Sequence, residues 1–221
     1  MSSEPSCPAH PEPENEAQRL EALHAYDILD TGPEPDFDAL TRLAVHALAT
    51  PVAVIALLDS DRLWFKSTQG LDVSQLDRQT AFCAHAVMKP RESLVVPDLR
   101  ADPRFAGNPL VTGSLQLRFY AGAPIVDPAG HALGTIAVMD TQPREFSGAQ
   151  CDALMDLSAM VMTALQGRRR ALDLERLDMT DHLTGLANRS QFDKAIAAEL
   201  RHAMRSGEAF TVLCMDLDGF K

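Results

Sequence analysis

The chain has 221 residues, of which 46% are hydrophobic, and a formal net charge of −11. This length allows one domain plus a fragment, or two small domains. The charge argues against nucleic acid and anionic membrane surfaces as partners, because both require clustered Lys and Arg. The longest apolar run, 52–58, is far shorter than the roughly 20 residues of a membrane helix. The chain has four scattered cysteines, which indicate reduced thiols and a cytoplasmic protein: Cys7, Cys83, Cys151 and Cys214.

The N-terminal part reads as a tail, two helices and a hairpin. Residues 1–15 are rich in Pro, Glu and Ser and predict a disordered tail. Apolar spacing predicts one helix over Glu16–Leu29 and a second that begins at about Asp36 and ends before Pro51. The buried strand Val52–Leu58 and the strand Leu63–Ser67 follow, separated by a polar turn.

The middle of the chain contains short elements and one long irregular segment. We expect a helix over Gln79–Met88 and a strand over Leu94–Val96. The segment Pro97–Thr112 has breaker residues throughout, and long ordered loops of this kind are often binding lids.

A second predicted hairpin forms the centre of the fold. The runs Phe119–Val126 and Ala132–Met139 are apolar on both faces, and Asp-Pro-Ala-Gly between them predicts a tight turn. Strands of this kind lie inside a sheet that is covered on both sides. Pro124 indicates a bulge or a strand end, because proline cannot donate to a strand ladder.

The order of several motifs resembles that of GAF domains, which precede output domains in bacterial signalling proteins. The motifs are Ala81-Phe-Cys-Ala-His-Ala, Asp102-Pro-Arg-Phe, Arg118-Phe-Tyr-Ala-Gly-Ala-Pro and Gly134-Thr-Ile-Ala-Val-Met-Asp. The resemblance covers residues 16–166 and implies an α+β fold: a central antiparallel sheet with helices on one face and a small-molecule pocket under loops on the other. The ligand it would bind is an unidentified small-molecule signal.

Five residues are candidates for that pocket: Cys83, His85, Arg104, Arg118 and Tyr120. The Cys and His could bind a metal or haem, and the tyrosine could stack on a planar ligand. Packing is the commoner role for buried Cys and aromatic residues. The two arginines could bind an anionic ligand, or be solvated or paired with acidic side chains.

From Ser147 onward the pattern is helical. An apolar stripe runs through Leu154, Leu157, Val161, Ala164 and Leu165. Leu165, Leu172 and Met179 then recur at heptad spacing. This spacing predicts a linker, 167–179, that forms a short parallel coiled coil and makes the protein a homodimer. The alternative is a helix that folds back on its own domain.

The segment Thr180-Asp-His-Leu-Thr-Gly-Leu-Ala-Asn-Arg-Ser resembles the start of GGDEF domains. Residues 180–221 would then be the N-terminal fragment of an α/β GGDEF domain, with a helix from Ser190 and a strand over Phe210–Met215. The Gly-Gly-Asp/Glu-Glu-Phe segment is not in this chain, so no complete catalytic set is present.

The resemblance also implies a metal and a nucleotide at the end of the chain. Asp216 and the carbonyl of Leu217 would bind Mg²⁺, which prefers oxygen ligands. For GTP, the resemblance implies a guanine wall at Leu183, backbone N–H donors at Gly219 and Phe220, and a phosphate partner at Lys221.

Together these features predict a GAF sensor that regulates a diguanylate cyclase, which in its intact form condenses two GTP into cyclic di-GMP. The 221-residue chain alone is predicted to be inactive. Two alternatives remain: the chain is only a small-molecule-binding or dimerisation module, or its GGDEF domain is degenerate and binds GTP or a partner without catalysis.

Overall fold

The computed structural model describes residues 11–178, 181, 183–206 and 209–213, and the chain divides into two compact units between Arg169 and Arg170. The strands are β1 Val52–Leu58, β2 Arg62–Gln69, β3 Gln75–Asp77, β4 Leu94–Val96, β5 Phe119–Val126 and β6 Ala132–Asp140. The helices are α1 Glu16–His24, α2 Pro35–Leu48, α3 Cys83–Ala86, α4 Pro109–Thr112, α5 Gly148–Asp178 and α6 Arg189–Ser206, with a short 3-10 helix at Arg78–Thr80.

All six strands of the first unit join one antiparallel sheet, in the order β3-β2-β1-β6-β5-β4. The predicted hairpin is confirmed as β5 and β6, and it lies inside the sheet. β6 pairs with β1 on one side, where Val54 faces Ala137, and with β5 on the other, where Ala123 faces Ile136. This arrangement confirms the α+β fold with a central antiparallel sheet.

Both faces of the sheet are covered. On one face, α1, α2 and α5 supply a core that includes Phe37, Leu48 and Val161. On the other face, α3 and the loops after it supply a second core, which includes Phe82 and Phe105. Since β1 and β6 are buried at every residue, their sequences are continuously apolar instead of alternating.

A buried ionic cluster attaches α1 to the sheet. The Glu16 carboxylate accepts hydrogen bonds from Nε and Nη2 of Arg19, both at 2.7 Å, and from Nη1 of Arg78 at 2.6 Å. Both arginines are almost completely buried. Burial alone would raise the pKa of Glu16, but the hydrogen bonds and charges of the two guanidinium groups outweigh it, so this pKa lies below its usual value.

Two predicted helices differ from those observed. The first ends at His24, five residues early, because Asp27 and Asp30 adopt left-handed conformations with φ of 49° and 59°. The predicted helix Gln79–Met88 is too long: a helix is present there, but only the four residues of α3 are α-helical. Ala81 is extended and separates α3 from the 3-10 helix, whose start the Asp77 side chain caps.

Pro124 lies within β5, opposite Thr135, and the register shifts just after it, between Ile125 and Val126. β4 pairs only with Tyr120–Gly122, so β5 has a single strand neighbour at the proline. A residue without an N–H is tolerated at such a position. The predicted bulge is therefore confirmed next to Pro124.

The helical prediction for the end of the first unit is confirmed by α5, but the predicted use of its apolar stripe is wrong. Leu154, Val161 and Leu165 are buried against the sheet of their own domain. The hydroxyl of Ser158 on the same side donates to the Pro124 carbonyl. These residues therefore cannot form a coiled-coil seam, and the alternative of a helix folded on its own domain holds for this part. Met179 lies outside the described residues.

Over the ranges described, no helix has both the length and the apolar content needed to cross a lipid bilayer.

Gly134 tests the packing of the central strands. A Cβ atom at this position would lie 2.0 Å from the Ala56 carbonyl oxygen and 2.8 Å from the Leu57 Cα. We expect Gly134→Ala to lower the free energy of unfolding by about 1–3 kcal/mol, because backbone atoms cannot yield as a flexible side chain can. Chemical denaturation would measure this. Gly107→Ala is the matched control, since nothing lies within 4 Å of its added Cβ, and equal stability of the two variants would contradict the pairing of β1 with β6.

Candidate functional site

A small apolar cavity lies in the second core, between the sheet and the loops that cover it. Its volume is about 20 Å³, and its lining includes Val54, Phe65, Phe82 and Met139. The polar side-chain groups of its lining are the thiol of Cys83 and the hydroxyl of Tyr120. An apolar site with a few converging polar groups is the usual form of a small-molecule pocket.

Two buried hydroxyl groups meet the Cys83 thiol, which lines this cavity. Thr135 on β6 donates its hydroxyl hydrogen to Sγ of Cys83 at 3.0 Å, and Tyr120 on β5 donates to the same sulfur at 3.5 Å. Cys83 is the first residue of α3, so two adjacent strands and one short helix build the group. The ring of Phe82 contacts that of Tyr120 edge-on, with centroids 5.3 Å apart.

Burial determines the chemistry of this group. It raises the pKa of Cys83, and the hydrogen bonds from Thr135 and Tyr120 oppose that effect without reversing it. Burial, followed by the neighbouring sulfur, raises the pKa of Tyr120 well above its usual value. Both groups are therefore neutral near pH 7, so they can recognise a ligand by hydrogen bonding, but the thiol is a poor nucleophile.

The predicted lid segment does cover this face of the sheet. Phe105 and Val111 are buried in the second core, and α4 ends the otherwise irregular stretch. Asn108 holds the loop in place: its amide donates to the Thr80 carbonyl at 3.0 Å, while its side-chain oxygen accepts from the N–H of Leu110 at 2.9 Å. The loop is thus ordered by its own packing and by a buried amide.

The other predicted pocket residues lie elsewhere. His85 and Arg104 line a separate open cavity of about 290 Å³ on the outer side of α3. Arg104 pairs with Asp102 at 2.6 Å, and its guanidinium group lies over the Phe105 ring. His85 contacts the same ring edge-on, with centroids 4.9 Å apart. These two residues do not reach the Cys83 cavity.

Arg118 is paired with an acidic side chain. Its Nε and Nη2 donate to the two carboxylate oxygens of Asp98 at 2.8 and 2.6 Å. This bidentate pair connects the start of the lid segment to the start of β5, and its hydrogen bonds lower the pKa of Asp98. Of the five candidates, the structure therefore brings only Cys83 and Tyr120 to the apolar cavity, while His85 and Arg104 share the open cavity and Arg118 lines neither. Within the described ranges no three His, Cys, Asp or Glu side chains form a metal-binding group.

Two features of the structure were not predicted from the sequence: the role of Thr135 and a polar cavity. Thr135 donates the shorter of the two hydrogen bonds to the Cys83 sulfur. In the sequence, the only indication of this role is a hydroxyl-bearing residue inside the apolar run Ala132–Met139. The polar cavity, of about 410 Å³, lies between α2 and the edge of β2. There Ser67 donates to Asp38 at 2.6 Å; no sequence motif marks this place.

In the second unit, the motif that begins at Thr180 has a local structural explanation. The Asp181 carboxylate accepts from the N–H groups of Leu183 and Thr184, at 3.1 and 2.9 Å. Gly185 has φ of +69°, which favours glycine. The side chain of Leu183 is 93% exposed, so no described residue of this unit covers it.

α6 begins at Arg189, one residue before the predicted start at Ser190. Asn188 precedes the helix, and its side-chain oxygen accepts from the N–H of Gln191 at 3.1 Å. Asparagine is among the best residues at this position. It was overlooked because Ser190, which is already inside the helix, also fits the capping pattern.

The remaining predictions for the second unit fall partly or wholly outside the described residues. Residues 209–213 do not form a strand, so the described part of the predicted strand Phe210–Met215 is wrong. A strand needs neighbouring strands to satisfy its backbone groups. The predicted metal and nucleotide residues Asp216, Leu217, Gly219, Phe220 and Lys221 are not among the described residues.

Comparison with family models places two matches on the chain. A model described as "GAF domain" matches residues 33–165, and one described as "Diguanylate cyclase, GGDEF domain" matches residues 178–221. The curated relative named Cyclic di-GMP phosphodiesterase PA2567, from Pseudomonas aeruginosa, is 34% identical over 207 residues. The match covers 94% of this chain and 34% of the relative, so the chain spans about a third of that protein.

Solved structures share the fold of the first unit. The free methionine-R-sulfoxide reductase of Neisseria meningitidis has a TM-score of 0.52 and 18% identity, over 75% of this chain and 99% of the other. The GAF domain of the Acinetobacter phosphoenolpyruvate-protein phosphotransferase has a TM-score of 0.51 and 19% identity, over 72% and 97%. At these identities the similarity shows the fold alone.

The buried thiol gives a testable expectation. Because the pKa of Cys83 is raised, its reactive thiolate forms only above the usual range for cysteine, and reaction with iodoacetamide in the folded protein should be slow at pH 8. Peptide-resolved mass spectrometry would follow the labelling. Cys151 on α5 is the control, since it is only partly buried and should react sooner. Equal labelling of the two residues at pH 8 would mean that the cavity opens to solvent.

Proposed function

The chain belongs to the GAF domain family, and from that premise we propose that it is the sensory part of a protein that turns over cyclic di-GMP. The observation that carries the proposal is the order of the two matches, a GAF domain followed directly by a partial GGDEF domain in one chain. A relative that is named for cyclic di-GMP chemistry and aligns across both matches supports it.

The sensory site in this proposal is the cavity at Cys83, Tyr120 and Thr135. Its lining selects a compact, mainly apolar molecule, and the thiol and hydroxyl groups would hydrogen-bond one polar group of that molecule. About 20 Å³ accommodates little more than one water molecule. A larger signal therefore requires movement of the lid segment or of the side chains that line the cavity.

Two outputs are open to the longer protein. In the first, the GGDEF domain is a diguanylate cyclase: Asp216 and the Leu217 carbonyl bind Mg²⁺, while Leu183 and Lys221 contact GTP, together with backbone groups of Gly219 and Phe220. The partial GGDEF match supports this output. A cytoplasmic location, as predicted from the sequence, is consistent with GTP as substrate.

In the second output, the longer protein degrades cyclic di-GMP and its GGDEF domain binds GTP or a partner without condensing GTP. The name of the Pseudomonas relative supports this alternative. The GAF domain has the same role in both outputs, which is to set the activity of the domain that follows it.

A homodimer is part of the proposal, since condensation of two GTP requires two half-sites to face each other. The surface must differ from the buried stripe of α5. Met160 and Leu174 on that helix are 48% and 67% exposed, and with Gly167 and Ala171 they fall at heptad-like spacing. Small residues between two large ones allow two helices to approach closely.

The dimer surface can be tested directly. We expect the double variant Met160→Glu/Leu174→Glu to have half the wild-type mass in light scattering, because four carboxylates would then face each other across the helix pair. Leu43→Glu on α2 is the matched control, since Leu43 is 47% exposed and lies off this face. An unchanged mass for the double variant would exclude this face as the dimer contact.

The output can be tested with the naturally longer protein and its Asp216→Ala variant. A cyclase should convert GTP to cyclic di-GMP, and the variant should lose at least 100-fold in rate, on the order expected when a metal-binding carboxylate is removed. The 221-residue chain should produce none. Asp193→Ala, an exposed position on α6, is the control.

Hydrolysis of cyclic di-GMP that Asp216→Ala leaves intact would establish the second output instead. If the longer protein neither makes nor degrades cyclic di-GMP, the proposed function is wrong. Full cyclase activity in Asp216→Ala would refute the assignment of Asp216 as a Mg²⁺ ligand, but it would leave the cyclase output in place.

A further inference from the structure

The segment 25–34, which connects α1 to α2, is here called the connector. It carries two residues other than glycine with positive φ, Asp27 and Asp30, each of which costs conformational energy. Such a backbone persists only where its surroundings hold it. Three cationic side chains from outside the connector do so: Arg62, Lys66 and Arg168.

Lys66 holds the connector from the sheet. It lies on β2, and the side chain has no exposed surface. Its ammonium group donates to the Thr31 hydroxyl at 2.9 Å, to the Gly32 carbonyl at 2.7 Å and to Oε1 of Glu34 at 2.7 Å. All three hydrogens of the buried charge are therefore used on one short stretch of chain, so a shift of Lys66 must be followed by the connector.

Arg168 holds the connector from α5. Its Nε donates to Oε1 of Glu34 at 2.9 Å, and its Nη1 donates to the carbonyls of Asp27 and Tyr26 at 2.9 and 3.2 Å. The next residue, Arg169, places its guanidinium group 5.4 Å from the centre of the Tyr26 ring. These two arginines are the last residues of the first compact unit.

Glu34 is shared between the two cations. The same oxygen atom, Oε1, accepts from Lys66 and from Arg168. Burial alone would raise the pKa of Glu34, but the hydrogen bonds from both cations lower it, so the carboxylate stays charged. Because one acceptor serves two donors, the position of Lys66 determines where the acceptor of Arg168 lies.

β2 also reaches the cavity. Phe65 lines the cavity on the second face of the sheet, and Lys66, the next residue, points to the opposite face, as successive strand residues do. A ligand that displaces the Phe65 ring therefore shifts the backbone that carries Lys66. This gives a continuous path of direct contacts from the cavity through β2 and the connector to α5.

We infer that the connector is the coupling element of this domain: it passes a change at the cavity face of β2 to α5, through the carboxylate of Glu34 that Lys66 and Arg168 share. The inference rests on the proposed sensory function and adds how its signal would leave the domain. The competing explanation is a purely structural brace: the contacts of Lys66 and Arg168 stabilise the connector, but a change at β2 does not reach α5.

Hydrogen–deuterium exchange of the ligand-free 221-residue chain separates the two explanations. The readouts are amides in 25–34, which report on the connector, and in 166–175, which report on the end of α5. The variants are Lys66→Met, Glu34→Ala and the double variant. Arg144→Met is the matched control, because it removes a partly buried ion pair with Asp140 that does not contact the connector.

For coupling, we expect Lys66→Met, which removes three hydrogen bonds, to speed exchange at least about tenfold in both segments, because the loss of a single charge-assisted hydrogen bond already shifts an opening equilibrium by about that factor. Lys66 does not contact α5 through any of its three hydrogen bonds, and the shared oxygen of Glu34 is the shortest link between Lys66 and Arg168. In the Glu34→Ala background, which lacks this acceptor, Lys66→Met should therefore change exchange in 166–175 much less than it does in the wild-type background.

Faster exchange in 25–34 with no change in 166–175 would overturn the inference in favour of a brace. The inference is also overturned if the effect of Lys66→Met on exchange in 166–175 persists undiminished in the Glu34→Ala background. If Lys66→Met does not fold, Thr31→Val removes one of the three acceptors of Lys66 and should give a smaller effect in both segments. No ligand is used, so failure here leaves the proposed sensory function untouched.

Discussion

The fold depends on a central pair of strands with no exposed face. Every residue of β1 and β6 is buried, so helices must cover one side of the sheet while α3 and the lid segment cover the other. The two strands approach so closely that position 134 has no room for a side chain. The two cores therefore lie on opposite sides of these strands, and β2, the other neighbour of β1, borders both the cavity and α2.

The sequence predicted elements well where local pattern decides, and poorly where a distant partner decides. The apolar runs of β1, β5 and β6 were predicted within a residue, since continuous burial leaves a continuous signal. The predicted helix over Gln79–Met88 was too long because a 3-10 helix and the extended Ala81 occupy its first part. The candidate arginines could not be assigned either, because their partners Asp98 and Asp102 are evident only in three dimensions.

The apolar stripe of α5 shows the same limit. A heptad-like pattern states that one face of a helix is buried, but it does not state against what. The residues from Leu154 to Leu165 satisfy the pattern by packing on their own sheet. The proposed role of α5 in carrying the signal out of the domain rests instead on Arg168. The guanidinium group of this residue donates to three acceptors of the connector.

The ionic cluster of Glu16, Arg19 and Arg78 makes the attachment of α1 depend on pH. The pKa of this carboxyl is lowered in the folded protein, so its contribution to stability is fully present above its unfolded value, near 4.5, and is lost as the pH falls through the folded value. Once Glu16 is protonated, Arg19 and Arg78 lose the negative charge that they share, although both stay buried. Acid should thus weaken the attachment of α1 to the rest of the domain.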